Sequence, residues 1–181
     1  MRYRRARIRG GTYFFTVVTF RRACILTAGE NVALLREAFR TVMERHPFII
    51  EAFVLLPDHM HCIWTLPAGD ADFSKRWRLV KSYFSRKCDD QYKQRPFLSR
   101  VRKKEQAIWQ RRFWEHLIQD DRDFSRHVEY IHYNPVKHGL VDRPVDWPFS
   151  SLHIHIKQGK TDQDWAACRG FKQTQIADWV E

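Results

Sequence analysis

Two apolar segments joined by only two residues constrain the fold more than any other feature of this sequence. The segments FIIEAFVLLP (48–57) and HMHCIWTLP (59–67) are rich in β-branched and aromatic residues, as strands are, and only Pro57 and Asp58 connect them. A connection this short joins antiparallel neighbours, because a parallel crossover needs roughly a dozen residues or more. The sequence therefore predicts a β-hairpin whose second strand begins at His59.

The rest of the chain alternates between strand-like and helix-like patterns. These segments are a strand at 11–20, a helix at 30–46, a helix at 72–88, a strand or bent hairpin at 107–119, and a helix at 121–135 that we expect Pro135 to end. The polar and charged residues 89–106 are typical of a mobile basic loop.

The order β-α-β-β-α-β-α predicts an α+β fold. It is the split pattern of a ferredoxin-like or RRM-like antiparallel sheet, with helices packed on one of its faces. We expect one domain at 1–151 and a C-terminal tail at 152–181 that packs against it or gates it. Because this topology serves many unrelated functions, it predicts no activity by itself.

The charge of the chain predicts a polyanionic partner. Its 181 residues include 32 Lys and Arg against 21 Asp and Glu, a net charge of +11. Nucleic acid is the first expectation and an anionic membrane surface the second. The longest apolar stretch, 48–57, is too short to span a bilayer, which takes ~20 residues. Four widely spaced cysteines argue against a zinc knuckle and a disulfide framework and favour the cytoplasm.

Two histidines open the second strand of the predicted hairpin. His59 and His61 are two residues apart, so a strand places both imidazoles on one face, ~7 Å apart along the chain, with Met60 and Cys62 on the other. An H-x-H pair on a strand is more often packing than a metal site, so it needs support from elsewhere in the chain.

The last predicted helix supplies that support. Its apolar positions, Phe124 and Ile131 among them, should pack on the sheet, while Tyr130 and Asn134 are stacked at i and i+4 beside them. If the histidines face this edge, two imidazoles and the Asn134 oxygen would leave open positions on a divalent cation. Tyr130 could then attack a phosphodiester and become linked to phosphorus.

The residues also resemble a known family. LPDHMH (56–61) is similar to the HUH motif, and YIHYNPVKHGLV (130–141) is similar to the tyrosine motif of REP-associated tyrosine transposases, single-tyrosine relatives of the insertion-sequence HUH transposases. The similarity extends over about residues 9–151. Both motifs in this order are specific, whereas H-x-H alone is weak.

The resemblance implies cleavage and rejoining of single-stranded DNA through a 5′-phosphotyrosine at Tyr130. It implies Mg²⁺ or Mn²⁺ held by His59, His61 and Asn134, although a glutamine fills the third position in the insertion-sequence relatives. It also implies single-stranded DNA hairpins of REP-like palindromes as partners. We expect a cytoplasmic, nucleoid-associated monomer without membrane contact; the alternative is a dimer, as in the insertion-sequence relatives.

Candidate DNA contacts follow from charge alone, since no short motif fixes them. They are basic residues of the N-terminal arm, the second helix and the region around the predicted loop: Arg4, Arg5, Arg7, Lys75, Arg76, Arg78, Lys81, Arg102, Lys103, Lys104, Arg111 and Arg112.

Four alternatives stay open at the level of sequence. A non-catalytic ferredoxin-like module could bind structured DNA or RNA, and a zinc hydrolase is less favoured because no H-E-x-x-H is present. Tyr130 could be a core tyrosine, and Tyr133 is the rival nucleophile, off the Asn134 stripe. We expect His116 to be a structural histidine.

Overall fold

The computed structural model describes residues 7–102, 105–162 and 164–165. Its centre is a four-stranded sheet with spatial order β2-β3-β1-β4 in which every neighbouring pair is antiparallel. The strands are β1 (Thr12–Val18), β2 (Ile49–Leu55), β3 (His59–Thr65) and β4 (Trp114–Leu117). The helices are α1 (Gly29–Arg45), α2 (Phe73–Lys87), α3 (Leu98–Val101), α4 (Asp121–Lys137) and α5 (Leu152–Lys157). The predicted α+β class and order of the main elements are confirmed.

Helices cover both faces of the sheet, so the prediction of helices on one face was wrong. Tyr13 and Phe15 of β1 and Trp64 of β3 belong to a core with α1 and α2, whereas Phe14 and Ile63 belong to a second core with α4. The physical reason is visible in β3, where six of the seven residues, on both sides of the strand, are buried. A strand buried on both faces needs a layer on each side.

Helix α4 does not end at Pro135 but continues to Lys137. Proline removes only its own N–H, and the His138 N–H still donates to the Asn134 carbonyl at 3.0 Å. Gly139, with φ at +65°, ends the helix, because glycine adopts this left-handed conformation without a steric penalty.

The segment predicted as a basic loop contains ordered turns. A 3₁₀ turn at Asp90–Tyr92 and the short helix α3 interrupt it. Arg100 is buried there, since its guanidinium donates to the Gln106 and Trp109 carbonyls at 3.4 and 3.2 Å. The segment is therefore packed against the domain at Arg100 rather than extended into solvent throughout.

The chain after α4 returns to the free edge of β2. The Leu55 N–H donates to the Phe149 carbonyl at 2.9 Å, and the Ser151 N–H donates to the Phe53 carbonyl at 2.8 Å. Residues 149–151 thus cover part of an edge that would otherwise offer unpaired backbone groups. The division into 1–151 and a tail stays a prediction.

The cysteines agree with the expectation from their spacing. Cys24, Cys62 and Cys88 are free thiols, and Cys168 lies outside the described residues. Within the described part of the chain, no helix is long and apolar enough to cross a membrane.

Candidate active site

The two histidines of β3 face α4. Met60 and Cys62 enter the core under α1 and α2, so the alternation of the strand turns His59 and His61 to the opposite face. Their rings are 4.9 Å apart between centroids, and both side chains are buried. The spatial relation predicted from the H-x-H spacing is present.

A hydrogen bond to Nδ1 orients each imidazole. Asp58 Oδ1 is 2.6 Å from His59 Nδ1, and Thr16 Oγ1 is 2.8 Å from His61 Nδ1. Because an ionised carboxylate only accepts, His59 carries its proton on Nδ1 and keeps a lone pair on Nε2. His61 Nε2 is buried without a hydrogen-bond partner. Both rings are therefore oriented to use Nε2 as a ligand.

Electrostatics keep the two imidazoles neutral. Burial lowers the pKa of His59, and the Asp58 carboxylate opposes this only in part. Burial also lowers the pKa of His61 well below its usual range, and repulsion between its charged form and the charged forms of His59, His138 and Lys137 lowers it further. Neutral imidazole is the form that coordinates a metal ion.

Helix α4 brings Tyr130 to the same place. The Tyr130 ring centroid is 5.2 Å from that of His61 and 5.9 Å from that of Phe14, and its side chain is half-buried. Lys137 Nζ lies 5.3 Å from the Tyr130 ring centroid, which puts a positive charge beside the phenol. Tyr130 therefore lies beside His61, on the face of the sheet that carries the histidine pair.

Asn134 lies one turn after Tyr130 and is fully buried. It is close enough to His59 to raise the pKa of that imidazole, yet neither of its amide atoms has a partner at ordinary hydrogen-bond geometry. A buried polar group without a partner costs ~1–3 kcal/mol. Together with His61 Nε2, the Asn134 amide supplies buried polar atoms that can bind a ligand.

These atoms form a suitable donor set for a divalent cation. Imidazole nitrogens and an amide oxygen bind first-row divalent ions, and oxygen ligands suit Mg²⁺ and Mn²⁺. His59, His61 and Asn134 would fill only part of the coordination sphere of such an ion, which would leave room for substrate oxygens. The residues present therefore fit the ion that the sequence motifs predicted.

Several neighbours of this site were missed by sequence reasoning. Asp58 and Thr16 orient the histidines, and Arg22 Nη1 donates to Asp58 Oδ2 at 3.2 Å. The His138 ring is 5.0 Å from His59. Asp58 directly precedes the first histidine, which was a usable signal, whereas Thr16 and Arg22 become neighbours only through strand pairing and a turn.

A second cluster of metal-ligating residue types lies between β4 and α4. His116 Nε2 is 2.8 Å from Asp123 Oδ2, and His127 Nδ1 is 3.0 Å from Asp123 Oδ1. The three ligand atoms lie within 4.8 Å of one another. This cluster could hold a metal ion, but Asp123 Oδ2 already accepts a hydrogen bond from the Gln119 N–H, and His127 Nδ1 is 2.8 Å from the Asp123 backbone carbonyl. It joins β4 to the helix that carries Tyr130, in agreement with a structural His116.

The candidate DNA contacts separate into different groups. Lys75 and Arg78 of α2 and Arg7, Arg102, Arg111 and Arg112 are exposed. Lys81 is half-buried, its Nζ donates to the Gln110 carbonyl at 2.5 Å, and burial lowers its pKa to about 8. Arg4, Arg5, Lys103 and Lys104 lie outside the described residues.

Arg76 was wrongly predicted as a DNA contact. It is 2% exposed, and its guanidinium donates to the carbonyls of His46, Pro47 and Asp72 and to the Asp70 carboxylate. Arg76 thus connects α2 to the residues that follow α1, and its guanidinium is paired with groups of the protein itself.

The structure also has a cavity away from this site. A groove of about 910 Å³ lies between α1, β2 and α5, and its lining includes none of His59, His61, Tyr130 and Asn134. The candidate active site is the one formed by His59, His61, Tyr130 and Asn134, because functional groups converge there. The groove, in contrast, is mainly apolar.

Comparison with known proteins identifies the family. The model of the family described as transposase IS200 like matches residues 9–134. The chain is 47% identical over 165 residues to the REP-associated tyrosine transposase of Escherichia coli strain K12, which covers 91% of this chain and 90% of that protein. A solved REP-associated tyrosine transposase bound to a REP hairpin is 46% identical, with a TM-score of 0.79 over 92% of this chain and 91% of the other. The resemblance drawn from the two motifs is thereby confirmed. The chain belongs to the IS200-like transposases and, within them, to the REP-associated tyrosine transposases, which are enzymes that cleave DNA and transfer strands.

Proposed function

We propose that this protein cleaves and rejoins single-stranded DNA at REP-like hairpins, with Tyr130 as its nucleophile and Mg²⁺ or Mn²⁺ held by His59, His61 and Asn134. One observation supports this most directly. The Tyr130 ring lies 5.2 Å from His61, whose Nε2 is buried without a partner, as are both amide atoms of Asn134. The proposed nucleophile therefore lies beside the proposed metal ligands.

The chemistry of the chain's own residues follows from this geometry. The phenol of Tyr130 loses its proton to solvent, which its half-buried side chain can reach, and Oη attacks the scissile phosphorus. A bond forms between phosphorus and Oη, and the bond from phosphorus to the 3′ oxygen breaks. The departing 3′ oxygen takes up a proton, which leaves a 3′-hydroxyl and a 5′-phosphotyrosine.

Rejoining is the same step in reverse. A 3′-hydroxyl attacks the phosphotyrosine, the bond from phosphorus to Oη breaks, and Tyr130 recovers its proton. A divalent cation at the site supplies positive charge that polarises the scissile phosphate. Lys137, beside the Tyr130 ring, adds a second positive charge for the phosphate.

The proposed substrate rests on charge and on the relatives. The net charge of +11 attracts a phosphate backbone, and the exposed side chains of Lys75 and Arg78 give α2 a basic outer face. The similar solved structure is described as bound to a REP hairpin, so we propose a hairpin of this class as the substrate. We also propose that one chain acts as a monomer, on nucleoid DNA in the cytoplasm.

Covalent capture tests the proposal. The protein is incubated with Mn²⁺ and a labelled REP-hairpin oligonucleotide carrying a single-stranded cleavage site, and the products are separated on a denaturing gel. The unaltered protein should give a protein-linked band. Tyr130→Phe should give none while its affinity for the hairpin stays nearly unchanged, because only the hydroxyl is removed.

Tyr133→Phe is the matched control, since it removes the same hydroxyl one helical turn away and should keep the band. If Tyr133→Phe loses the band and Tyr130→Phe keeps it, the nucleophile is Tyr133 and not Tyr130. The absence of any band in the unaltered protein, with hairpin binding intact, would favour a non-catalytic binding module instead.

A further inference from the structure

An exposed apolar patch lies on and before α3. Seven large hydrophobic side chains of the described residues are exposed, and three of them, Phe97, Leu98 and Val101, lie within five consecutive positions. Phe97 is 53% and Leu98 78% exposed. Scattered apolar residues on a surface are ordinary, but a contiguous group indicates contact with another molecule.

Arg21 joins this patch to the turn that follows β1. Its guanidinium carbon is 4.7 Å from the Phe97 ring centroid and 5.2 Å from that of Phe20. The Phe97 and Phe20 rings meet edge to face with 5.4 Å between centroids. Phe97 and Arg21 are both exposed, and we refer to these two residues as the Phe97–Arg21 stack.

The next residue connects the same turn to the active site. Arg22 donates to Asp58, and Asp58 binds His59 Nδ1. Arg21 and Arg22 both have positive φ values, 55° and 52°. This conformation is strained for residues with a Cβ, and such strain is retained where it serves a site. The strained turn places one guanidinium at the patch and the next at the carboxylate that orients His59.

We propose that the Phe97–Arg21 stack binds unpaired bases of the single-stranded DNA next to the scissile phosphate, an inference that rests on the function proposed above. Every base has a π face that stacks on aromatic rings and on guanidinium planes without regard to sequence. The exposed arginines of the patch and turn, Arg21, Arg22 and Arg102, match the charge of a phosphate backbone. This combination suits a nucleic acid strand better than an apolar protein surface.

Three probes test this, all in the Tyr130→Phe background so that the DNA is not cleaved. One is the REP hairpin alone, and the other two are the same hairpin with a short single-stranded extension on its 5′ or its 3′ side. Fluorescence anisotropy of labelled DNA gives the affinities. Phe97→Ala should weaken binding of one extended probe about tenfold, the effect of losing one stacked base, and leave the hairpin alone unchanged.

Phe97→Trp should restore the affinity, because the indole offers a larger π face. Ile154→Ala is the matched control, since it truncates another exposed apolar residue, on α5, and should change neither affinity. A 2-aminopurine in the extension should be quenched on binding, and Phe97→Ala should relieve the quenching.

Equal affinities of Phe97→Ala and its parent for both extended probes would overturn the stacking proposal. A change of oligomeric state in Phe97→Ala, with DNA affinity unchanged, would overturn it in favour of contact between two copies of the chain. Neither result changes the covalent capture band of the unaltered protein. The capture experiment therefore tests the proposed function separately from the stacking proposal.

Discussion

The two faces of the central sheet bury different chemistry although the same strands supply both. Toward α1 and α2 the sheet presents aromatic and aliphatic side chains such as Tyr13, Phe15 and Trp64. Toward α4 it presents a smaller apolar core and, next to it, two buried imidazoles, which face the side of α4 that carries the buried Asn134 amide. The comparison indicates that the two faces have different roles. One face buries most of the apolar side chains, and the other buries the imidazoles and the amide that are proposed to hold a metal ion.

The largest expected effect is on the apolar face. Trp64 stacks on Trp77 with 4.1 Å between ring centroids and packs on Phe48 at the same distance. Trp64→Ala should lower the free energy of unfolding by ~3–5 kcal/mol, because it leaves a cavity in a closely packed core. Urea denaturation followed by fluorescence measures this. Ile49→Ala, at an exposed position of β2, should stay within ~0.5 kcal/mol, and equal losses in the two variants would remove the proposed contrast.

His61→Ala probes the polar face and should have a large effect on activity and a small effect on stability. Metal-dependent cleavage should fall at least ~100-fold, because a ligand beside Tyr130 is lost. Stability should change by only ~1 kcal/mol, since the substitution also removes a buried nitrogen without a partner. Single-turnover cleavage of the hairpin probe with Mn²⁺ and a urea titration give the two numbers. Cleavage at the original rate in this variant would contradict the metal role of the histidine pair.

Arg76 and Arg78 allow the two kinds of role to be compared on one helix. Arg76→Met should lower the free energy of unfolding by ~2 kcal/mol, because carbonyls of the α1 end lose a buried charged donor. Arg78→Met should leave stability unchanged and weaken hairpin binding about twofold, as expected for one exposed phosphate contact. Denaturation and anisotropy are measured on both variants. Loss of DNA affinity in a stably folded Arg76→Met protein would restore Arg76 as a DNA contact.

The error at Arg76 shows what the sequence could have revealed. Arg76 follows Phe73 by three residues and precedes Val80 by four, so it lies on the flank of the apolar stripe of α2. Lys75 and Arg78 lie on the opposite side of that helix and are exposed. The helical register, applied to the charged residues as it was to the apolar ones, separates buried from exposed arginines.

The order of the main elements along the chain and the common face of the two histidines were predictable because they follow from periodicity. The approach of Tyr130 to that face was only a condition at the level of sequence, and the resemblance to the family supported it. We predicted helices on one face of the sheet, but the sequence held a sign of two layers. In HMHCIWT (59–65), apolar residues occur on both sides of the strand, at Met60, Cys62 and Trp64 and also at Ile63. The partners of the histidines were not predictable. Which oxygen meets each Nδ1 depends on rotamers and on the pairing of Thr16 with His61 across β1 and β3, and spacing along the chain does not determine these.

The last prediction concerns Asp58, whose role depends on geometry that spacing along the chain does not determine. Asp58→Asn keeps the size of the side chain but replaces an obligatory acceptor by an amide that can also donate, so His59 no longer has a fixed tautomer. The Mn²⁺ concentration needed for half-maximal cleavage should rise about tenfold, while the rate at saturating Mn²⁺ changes little, because Tyr130 and both imidazoles remain. Arg22→Gln is the control that removes the other partner of Asp58 and leaves the bond to His59 in place, so it should raise the Mn²⁺ requirement less. An Asp58→Asn protein with an unchanged Mn²⁺ requirement would show that the ring of His59 is held by packing alone, as side chains are held on the apolar face.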